Sequence, residues 1–404
     1  MLAVLATVPL QLSQVRLHRN VVNIRRIGMT VPADKRTAGN SRAVFPDGLR
    51  GLAALWVVLF HMSEGSHINA LKAYIPDWLL ASVFDAGHLG VPVFFVLSGF
   101  VMALTTGSTE FDAGNALRFF ARRLIRLTPP YYAAIALGVA VIAVKSHQAG
   151  GHATVVPVGW RDVAAHCLYL ETALGAPIIN TVFWTLCIEV QFYVAFAMLM
   201  FIADRFHRAG GSAMSRPLLF GLMACGALAW PLGLIHSDLW PGGFVGFWFS
   251  FLAGVAAQFG LRYRGPALYF AWIFIVALAS LAVLNSDSFA GLSAATAAAL
   301  LLAGKGSGMS HWLSAEWLQF LGKISYSLYL LHSPITGTVY RVVNHFGADT
   351  PITELLGAAL SIALCFLVAW VAYLLIEKPA MSWSHIMRFR NNLRAERPRK
   401  AEVN

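Results

Sequence analysis

The chain has 404 residues, of which 58% are hydrophobic and only 12% are charged, and its formal net charge is +11. Soluble globular proteins carry about 25% charged residues, so this composition excludes an ordinary soluble domain. The positive charge does not indicate nucleic-acid binding, because the basic residues lie in short loops and tails rather than in a stripe with interleaved aromatic residues. We therefore predict an all-α integral membrane protein whose surroundings are the lipid bilayer.

Apolar segments recur along the chain at lengths that suit membrane spans. A bilayer core of roughly 30 Å needs about 20 residues of helix. Ten such segments are present, at residues 48–66, 88–105, 130–146, 182–203, 217–235, 243–260, 267–284, 288–303, 320–341 and 354–376. The sequence thus predicts about ten transmembrane helices.

The basic residues predict how these helices are oriented. One side of the membrane receives 26 of the 30 Lys and Arg residues if it holds the segments 1–50, 106–130, 203–217, 261–264, 304–323 and 376–404. The positive-inside rule then places both termini in the cytoplasm. Three regions follow: a basic cytoplasmic arm at residues 1–45, a membrane domain at 46–382 and a basic cytoplasmic tail at 383–404. Met29 is a second candidate for the initiator, beside Met1.

The stretch PDGLRGLAALWVVLFH, residues 46–61, encloses an apolar run between charged or ionisable residues. Arg50 and His61 are eleven residues apart, which is only about 20° from three full helical turns, so they share one helix face. The rise between them is roughly 16 Å, which places His61 well inside the bilayer. Ionisable residues there are costly and mark functional sites by default. His61 is therefore a candidate general base, and a structural histidine bonded to a neighbouring carbonyl is the equal alternative.

The spacing of the ionisable residues that follow His61 does not favour a metal site. Glu64 and His67 follow at three and six residues, but six residues turn a helix by about 600°, so His67 lies about 120° away from His61. The four cysteines have no CxxC spacing and predict neither disulfides nor metal ligands. No metal is expected.

An arginine cluster lies in NALRFFARRLIRLTPPYY, residues 115–132, on the predicted cytoplasmic side. Anchoring by the positive-inside rule does not require four arginines in nine positions. The planar guanidinium suits phosphate oxygens, so the cluster indicates a polyphosphorylated ligand or a lipid headgroup. The cluster is formed by Arg118, Arg122, Arg123 and Arg126. The Pro-Pro pair that follows is expected to break the helix.

Two later spans also carry polar residues. In NTVFWTLCIEVQFYVAF, residues 180–196, Glu189 interrupts an apolar run and shares an interior sector with Trp184 and Tyr193, which predicts an acidic pocket with aromatic walls. In FLGKISYSLYLLHSPIT, residues 320–336, a polar stripe follows helical spacing. Its members are Ser325, Tyr329, His332 and Thr336. Interhelical hydrogen bonding is the structural alternative for this stripe, and for His332 the two interpretations are equal.

These stretches, together with GHLGVPVFFVLSGFVM and LLIEKPA, resemble the acyltransferase-3 family of bacterial membrane O-acyltransferases, in the same order from about residue 44 to residue 382. The resemblance implies a multi-pass protein of the bacterial cytoplasmic membrane that moves an acyl group, often acetyl, from acyl-CoA to a hydroxyl. The implied acceptor is a cell-surface polysaccharide, a glycolipid or a related molecule. Acyl-CoA is then a co-substrate, and no tightly bound cofactor is expected.

The resemblance also assigns roles to residues. The family's Arg-x10-His signature falls on Arg50 and His61, and its Arg-x-x-Arg signature falls on Arg123 and Arg126, with Arg122 adjoining. It implies His61 as the general base and these arginines as ligands of the CoA phosphates. Glu189 is expected to orient His61 or to bind acceptor hydroxyls. Substrate-binding or supporting roles are expected for Asp47, Trp184, Tyr193, Ser325, Tyr329 and His332.

Two departures from the family pattern bear on the site. Thr185 stands where the family usually has Ser, and Gln191 stands where many relatives have Glu, so a site with two carboxylates is not assumed. A proton-coupled transporter or flippase for a sugar-bearing or anionic solute is the main alternative function, with His61, Glu189 and His332 as its proton path. A non-catalytic scaffold protein of an envelope polysaccharide system is the third.

Overall fold

The computed structural model describes residues 44–107, 109–148, 158–235, 242–346, 350–387 and 389, all of which lie in one compact unit. The described residues form α-helices joined by loops and short 3₁₀ and π turns, and they contain no β-strand. The α-helices are α1 Val44–Glu64, α2 Asn69–Lys72, α3 Asp77–Leu79, α4 Gly90–Thr106, α5 Ala113–Gln148, α6 Trp160–Cys167, α7 Glu171–Leu174, α8 Phe183–Arg208, α9 Ser215–Ala227, α10 Trp248–Tyr263, α11 Gly265–Asn285, α12 Ser288–Lys305, α13 Gly308–His311, α14 Glu316–Phe346, α15 Pro351–Ala372 and α16 Lys378–Ser384.

The two predicted terminal regions lie almost entirely outside the described residues. Of the arm at 1–45, only Val44 and Phe45 are described, and they begin α1. Of the tail at 383–404, residues 383–387 and Phe389 are described. The boundaries of these regions stay predictions.

Each of the ten predicted spans contains a helix in the structure. Eight segments of the described chain are long and apolar enough to cross a membrane: Val44–Glu64, Asp77–Thr106, Ala113–His147, Phe183–Arg208, Phe244–Tyr263, Gly265–Asn285, Ser288–Lys305 and Pro351–Ser384. The other two predicted spans correspond to α9, which has 13 residues, and to α14, which has 31 residues. The all-α membrane fold is confirmed, whereas the count of ten spans and the cytoplasmic location of both termini stay predictions.

Helix α5 continues through Pro129 and Pro130, so the predicted break at this pair is wrong. Membrane helices tolerate proline where neighbouring groups support the backbone. Here the hydroxyl of Tyr326, on α14, donates a 2.8 Å hydrogen bond to the carbonyl of Leu127, just before the prolines. The carbonyls that the prolines leave without an N–H belong to Ile125 and Arg126, so this contact ties α14 to α5 beside the pair without replacing a lost hydrogen bond.

Residues without a side chain bring α1 close to its neighbours. Gly322 of α14 lies against the backbone of Asp47, and a Cβ on Gly322 would collide with the Asp47 carbonyl oxygen. On another side of α1, a Cβ on Gly90 would lie 2.7 Å from the carbonyl oxygen of Ala53. Small residues let membrane helices approach closely. Helix α1 is thus held between α14 and the start of α4 at backbone contact distance.

Aromatic packing fixes α4, α8 and α10 against one another. The ring of Phe251 stacks on Phe95 at 4.4 Å and on Phe192 at 4.1 Å between centroids. A Cβ on Gly254 would collide with the carbonyl oxygen of Val96, so α10 also crosses α4 at backbone contact. These contacts bring one face of α8 against α4.

A buried ion pair ties α9 to α8 and to the segment before α5. Arg216 donates to Asp204 from Nε at 2.6 Å and from Nη2 at 2.5 Å, and it also donates to the carbonyls of Gly107 and Thr109. The second carboxylate oxygen of Asp204 accepts from the backbone N–H of Phe111. Because its donors are occupied in this way, Arg216 acts as a structural link between these elements.

The α1–α14 contact predicts opposite effects of the same change at two glycines of α14. Gly322→Ala should lower the stability of the purified protein by about 1–3 kcal/mol, because the new methyl group meets backbone that can yield only if α1 moves. At Gly337, where a Cβ would meet nothing within 4 Å, the same change should be neutral or should stabilise by about 0.5–1 kcal/mol.

Thermal unfolding of both variants in one detergent measures the difference. Equal melting temperatures for the two variants would show that the α1–α14 contact is not tight.

Candidate active site

The larger cavity of the site lies between α1, α4, α5, α8 and α14 and has a volume of about 500 Å³. Its charged lining consists of four cations and three carboxylates: Arg50, Arg123, Arg126, Lys323, Asp47, Glu189 and Glu377. The helices contribute these residues from segments that are far apart in sequence. We call it the cationic cavity.

Two arginines of the cationic cavity have no ion-pair partner among the residues that the structure describes. The Arg123 guanidinium lies over the rings of Phe119 and Tyr193, at 5.5 and 5.6 Å from their centroids, and donates to Thr105 Oγ1 at 3.3 Å. Within the described chain, no carboxylate lies within 4 Å of the Arg123 or Arg126 guanidinium. Ring stacking thus orients Arg123 while leaving its charge available to an anion.

The other two predicted arginines are placed differently. Arg50 lies 3.9 Å from the carboxylate of Asp47 and lines the cationic cavity. Arg122 does not line it, and its guanidinium lies 5.0 Å from the centroid of the Phe389 ring. The structure therefore brings together three of the four arginines that the sequence grouped as ligands of one anion.

Glu189 belongs to a hydrogen-bonded group inside the cationic cavity. Its Oε1 accepts from Ser98 Oγ and from the Tyr193 hydroxyl, both at 2.6 Å. The pairing of Glu189 with Tyr193 follows their spacing of four residues on α8. Trp184, which was expected beside them, lines a different cavity.

The second cavity has a volume of about 350 Å³ and lies at the His61 end of α1. It contains His61, Glu64, His88 and Thr181, and its aromatic walls are Phe60, Trp184, Phe247, Phe289 and Tyr329. We call it the histidine cavity. A few polar groups thus stand among mostly apolar and aromatic ones, which is the usual constitution of a small-molecule site.

His61 is paired with Glu64 rather than with Glu189. The His61 Nδ1 lies 2.8 Å from Glu64 Oε2, across one turn of α1. A carboxylate accepts, so Nδ1 carries the hydrogen and Nε2 of the neutral ring has a free lone pair. The His61 side chain is 16% exposed and that of Glu64 is 58% exposed, so the carboxylate is the more accessible member of the pair.

The two cavities meet at Tyr329, which lines both of them together with Val91. The Tyr329 hydroxyl lies 2.9 Å from Thr185 Oγ1, and Thr185 gives its own hydrogen to the carbonyl of Val182 at 2.8 Å. Tyr329 is therefore the donor to Thr185. The threonine that replaces the usual family serine retains this hydroxyl.

The rest of the predicted stripe on α14 divides between cavity and core. Ser325 lines the cationic cavity, while His332 and Thr336 are buried. The His332 ring lies 5.2 Å from that of His61. The stripe is therefore a row of polar groups along α14 that runs from the cationic cavity to the buried side of His61.

A proline positions the loop that closes the histidine cavity. Pro334 has no N–H for the carbonyl of Leu330, four residues earlier on α14. The side-chain amide of Asn180 donates to that carbonyl at 2.9 Å. Thr181 and Val182, which follow Asn180, line the histidine cavity. The unpaired carbonyl on α14 thus anchors the start of α8 beside His61.

Several residues of the site were not predicted from the sequence. Glu64 was considered only as a metal ligand, and Ser98, His88, Lys323 and Glu377 were not named. Lys323 and Glu377 stand inside two of the stretches that carry the family resemblance, and Glu64 follows His61 at a spacing that faces it on a helix. Glu377 is buried and accepts a 2.6 Å hydrogen bond from Ser327 Oγ.

The family of the chain is decided by a match that covers most of it. A family model described as an acyltransferase domain matches residues 44–374. The chain belongs to the acyltransferase-3 family. The region matched contains every lining residue of the two cavities except Glu377 and Met381, so the site described above is a site of that domain.

Three relatives extend this finding. The acyltransferase is 28% identical over 364 residues to "Putative membrane-bound transacylase BcsY" of Komagataeibacter xylinus, covering 84% of this chain and 83% of the relative. It is 28% identical over 163 residues, 38% of this chain, to a "Putative O-acetyltransferase" of Staphylococcus aureus (strain COL), and there the match spans only 24% of the relative. A "Putative acetyltransferase" of Acidianus two-tailed virus is 27% identical over 157 residues, 39% of this chain and 40% of the relative. No solved structure matches significantly.

The family and the eight apolar helices together describe a multi-pass membrane acyltransferase. The names of the relatives support transfer of an acyl group to a hydroxyl. No group of three or more His, Cys, Asp or Glu side chains in the described part of the acyltransferase is arranged to hold a metal ion. The chemistry proposed below uses side chains of the two cavities.

Proposed function

We propose that this acyltransferase moves a short acyl group, such as acetyl, from acyl-CoA on the cytoplasmic side to a hydroxyl of a carbohydrate or glycolipid acceptor. The observation that carries this proposal is the pair of cavities that meet at Tyr329. One cavity offers arginines without carboxylate partners, and the other offers a histidine whose Nε2 is available as a base. A donor and an acceptor can thus approach one point from opposite ends of α1.

Acyl-CoA binds in the cationic cavity in this proposal. Arg50, Arg123, Arg126 and Lys323 bind the phosphates of CoA. The extended pantetheine arm spans the roughly 16 Å of helix rise between Arg50 and His61. Glu189 holds Ser98 and the Tyr193 hydroxyl in place along this path.

Transfer takes place beside His61. Nε2 of His61 takes the proton of the acceptor hydroxyl as its oxygen bonds to the thioester carbonyl carbon. The carbon–sulfur bond breaks, and the departing thiolate takes the proton back from His61, which leaves an ester and free CoA. Glu64 keeps Nδ1 of His61 protonated and stabilises the imidazolium that forms between these steps.

The acceptor binds in the histidine cavity. A sugar ring presents C–H groups on its faces and hydroxyls at its edge, which suits aromatic walls with a few polar groups. Trp184, Phe247 and Phe289 form the walls, and Thr181 and His88 offer hydrogen bonds. Glu64 is exposed at this end, so the acceptor enters from the side opposite the arginines.

The membrane in question is the bacterial cytoplasmic membrane, with the arginine end of α1 in the cytoplasm. The excess of Lys and Arg on that side supports this orientation. In this orientation the cationic cavity faces the cytoplasm, which is the side from which members of the family take acyl-CoA.

Labelling of single cysteines tests the orientation. In a chain whose four native cysteines are replaced by alanine, Tyr74→Cys should react with a membrane-impermeant maleimide in intact cells. Arg205→Cys should react only after the membrane is permeabilised. Both side chains are exposed, so lack of access in the folded protein is not a competing explanation. The reverse pattern of labelling would refute the orientation.

Substitution of the arginines tests the donor site. Arg123→Ala and Arg126→Ala should each weaken acetyl-CoA binding by about tenfold or more, because each removes a charged donor to phosphate. Lysine should restore only part of the affinity, because it lacks the bidentate fork. Arg122→Ala is the matched comparison and should change affinity less, since Arg122 lies over Phe389 and outside the cavity.

Isothermal titration of the purified variants with acetyl-CoA gives these affinities directly. Wild-type affinity in both Arg123→Ala and Arg126→Ala would leave the cluster as a topological anchor and remove the donor site from this cavity.

Replacement of His61 tests the base. His61→Gln should keep acetyl-CoA affinity and lower the transfer rate by about 10² to 10⁴, the usual contribution of general-base catalysis. The wild-type rate should fall on acidification, because an imidazole that is already protonated cannot take the proton of the acceptor hydroxyl. The residual rate of the variant should not follow that titration. His385→Gln, at an exposed histidine outside both cavities, is the control.

The measurement is transfer of radiolabelled acetyl from acetyl-CoA to an envelope extract of the producing cells, between pH 5 and 9. Near-normal transfer by His61→Gln with an unchanged pH profile would make His61 a structural histidine. Absence of any acetyl-CoA consumption by the wild-type protein, with uptake or flipping of a solute in its place, would favour a transporter.

A further inference from the structure

His332 is a buried histidine that the proposed reaction does not use. It lies on α14 with 0% exposure, and its ring centroid is 5.2 Å from that of His61, with 34° between the ring planes. His61 and His332 lie far apart in the sequence, and they meet because α1 packs along α14. No other imidazole ring contacts the His61 ring among the described residues.

The protonation of the neutral His332 ring follows from its hydrogen bonds. Its Nδ1 lies 2.8 Å from the carbonyl oxygen of Tyr329 and 3.2 Å from that of Leu328. A carbonyl only accepts, so Nδ1 must carry the hydrogen. The neutral ring therefore has its lone pair on Nε2, and this atom is buried without a hydrogen-bond partner.

Neutral His61 cannot satisfy this lone pair. The same argument, applied to the contact with Glu64, leaves Nε2 of neutral His61 with a lone pair of its own. Two lone pairs do not form a hydrogen bond. Protonated His61 is different, because its Nε2 carries a hydrogen that a second imidazole can accept. Rings joined by an N–H···N bond of about 2.9 Å have centroids about 5 Å apart, which the observed spacing allows with a rotation of the rings.

We propose that His332 is a positioning residue whose Nε2 accepts a hydrogen bond from the imidazolium form of His61. This inference rests on the proposed role of His61 as the base. The interaction is absent while His61 is neutral, forms after the acceptor oxygen has released its proton to His61 and bonded to the carbonyl carbon, and breaks when the departing thiolate takes that proton. Binding that appears only along the reaction lowers the barrier. His332 neither gains nor loses a proton overall, since His61 passes its proton to the departing thiolate.

A purely structural role makes a different prediction. If His332 served only to donate from Nδ1 to the α14 backbone, a side chain that keeps this donor would be enough. The carbonyls of Leu328 and Tyr329 also lie within a continuous helix, so loss of the donor from Nδ1 leaves their helical hydrogen bonds in place. The acceptor at Nε2 is thus the feature that separates the two roles.

Three substitutions of His332 in the full-length protein isolate the acceptor. His332→Gln places an amide oxygen near the position of Nε2, and His332→Met has a similar shape without an acceptor. His332→Asn keeps a donor near the position of Nδ1 and loses the acceptor. Acetyl-CoA affinity and transfer of radiolabelled acetyl to the envelope extract are measured for each, with His61→Gln in parallel.

We expect kcat to fall by about 10- to 100-fold in His332→Met and His332→Asn, the effect of losing one hydrogen bond to a charged group. His332→Gln should recover much of this loss, and KM for acetyl-CoA should stay within about twofold in all three. The comparison of Gln with Met holds even if the Asn variant is unstable, because those two side chains fill the same space.

Two results would overturn the inference. Wild-type kcat in His332→Met would show that no acceptor is needed, and an equal loss in His332→Gln and His332→Met would show that shape, not the acceptor, matters. Failure of the underlying function is distinguishable, because His61→Gln would then remain active. An inactive His61→Gln beside a fully active His332→Met would refute only the role of His332.

Discussion

The contact between α1 and α14 at backbone distance is the constraint on which the rest of the site depends. Gly322 has no side chain, so the Asp47 backbone can lie directly against it. This approach sets the register of the two helices along their length. Arg50 and His61 on α1 then face Ser325, Tyr329 and His332 on α14, and the cavities open on either side of Tyr329. A shift of one helical turn, about 5.4 Å, would separate His61 from His332.

The second feature of the site is the way charge is distributed within it. A cation inside a membrane domain is normally paired, because burial of an isolated charge is costly. Arg123 is stabilised instead by the faces of two aromatic rings and by one hydroxyl, so its charge remains available to a ligand. Arg216 shows the opposite arrangement, with two bonds to Asp204 and two to backbone carbonyls. The same residue type thus keeps an available charge in one place and acts as a structural link in another, according to its partners.

Helical geometry alone was enough to place some parts of the site, and insufficient for others. The spacing of Arg50 and His61 put them on one face of α1, and the spacing of Glu189 and Tyr193 put them within hydrogen-bond reach. Those relations depend only on 3.6 residues per turn. Glu189 was predicted to orient His61, however, whereas it lies with Ser98 and Tyr193, and Glu64, which was considered only as a metal ligand, contacts the imidazole. Pro129 and Pro130 were expected to end a helix because proline has no N–H to donate, but α5 continues through both of them.

The sequence by itself determined the fold class, the positions of the helices and the family, because apolar segments of about 20 residues and a set of ordered motifs are local properties of a chain. It also predicted which residues share a polar face in α1 and α14. The tertiary structure decided which of those faces meet. Arg122 was excluded from the cationic cavity, Tyr329 was placed between the cavities, and His332 was set behind His61, because each outcome depends on contacts between helices far apart in sequence. Helical periodicity describes only the direction in which a side chain leaves its own helix, and what it meets there depends on how the helices pack.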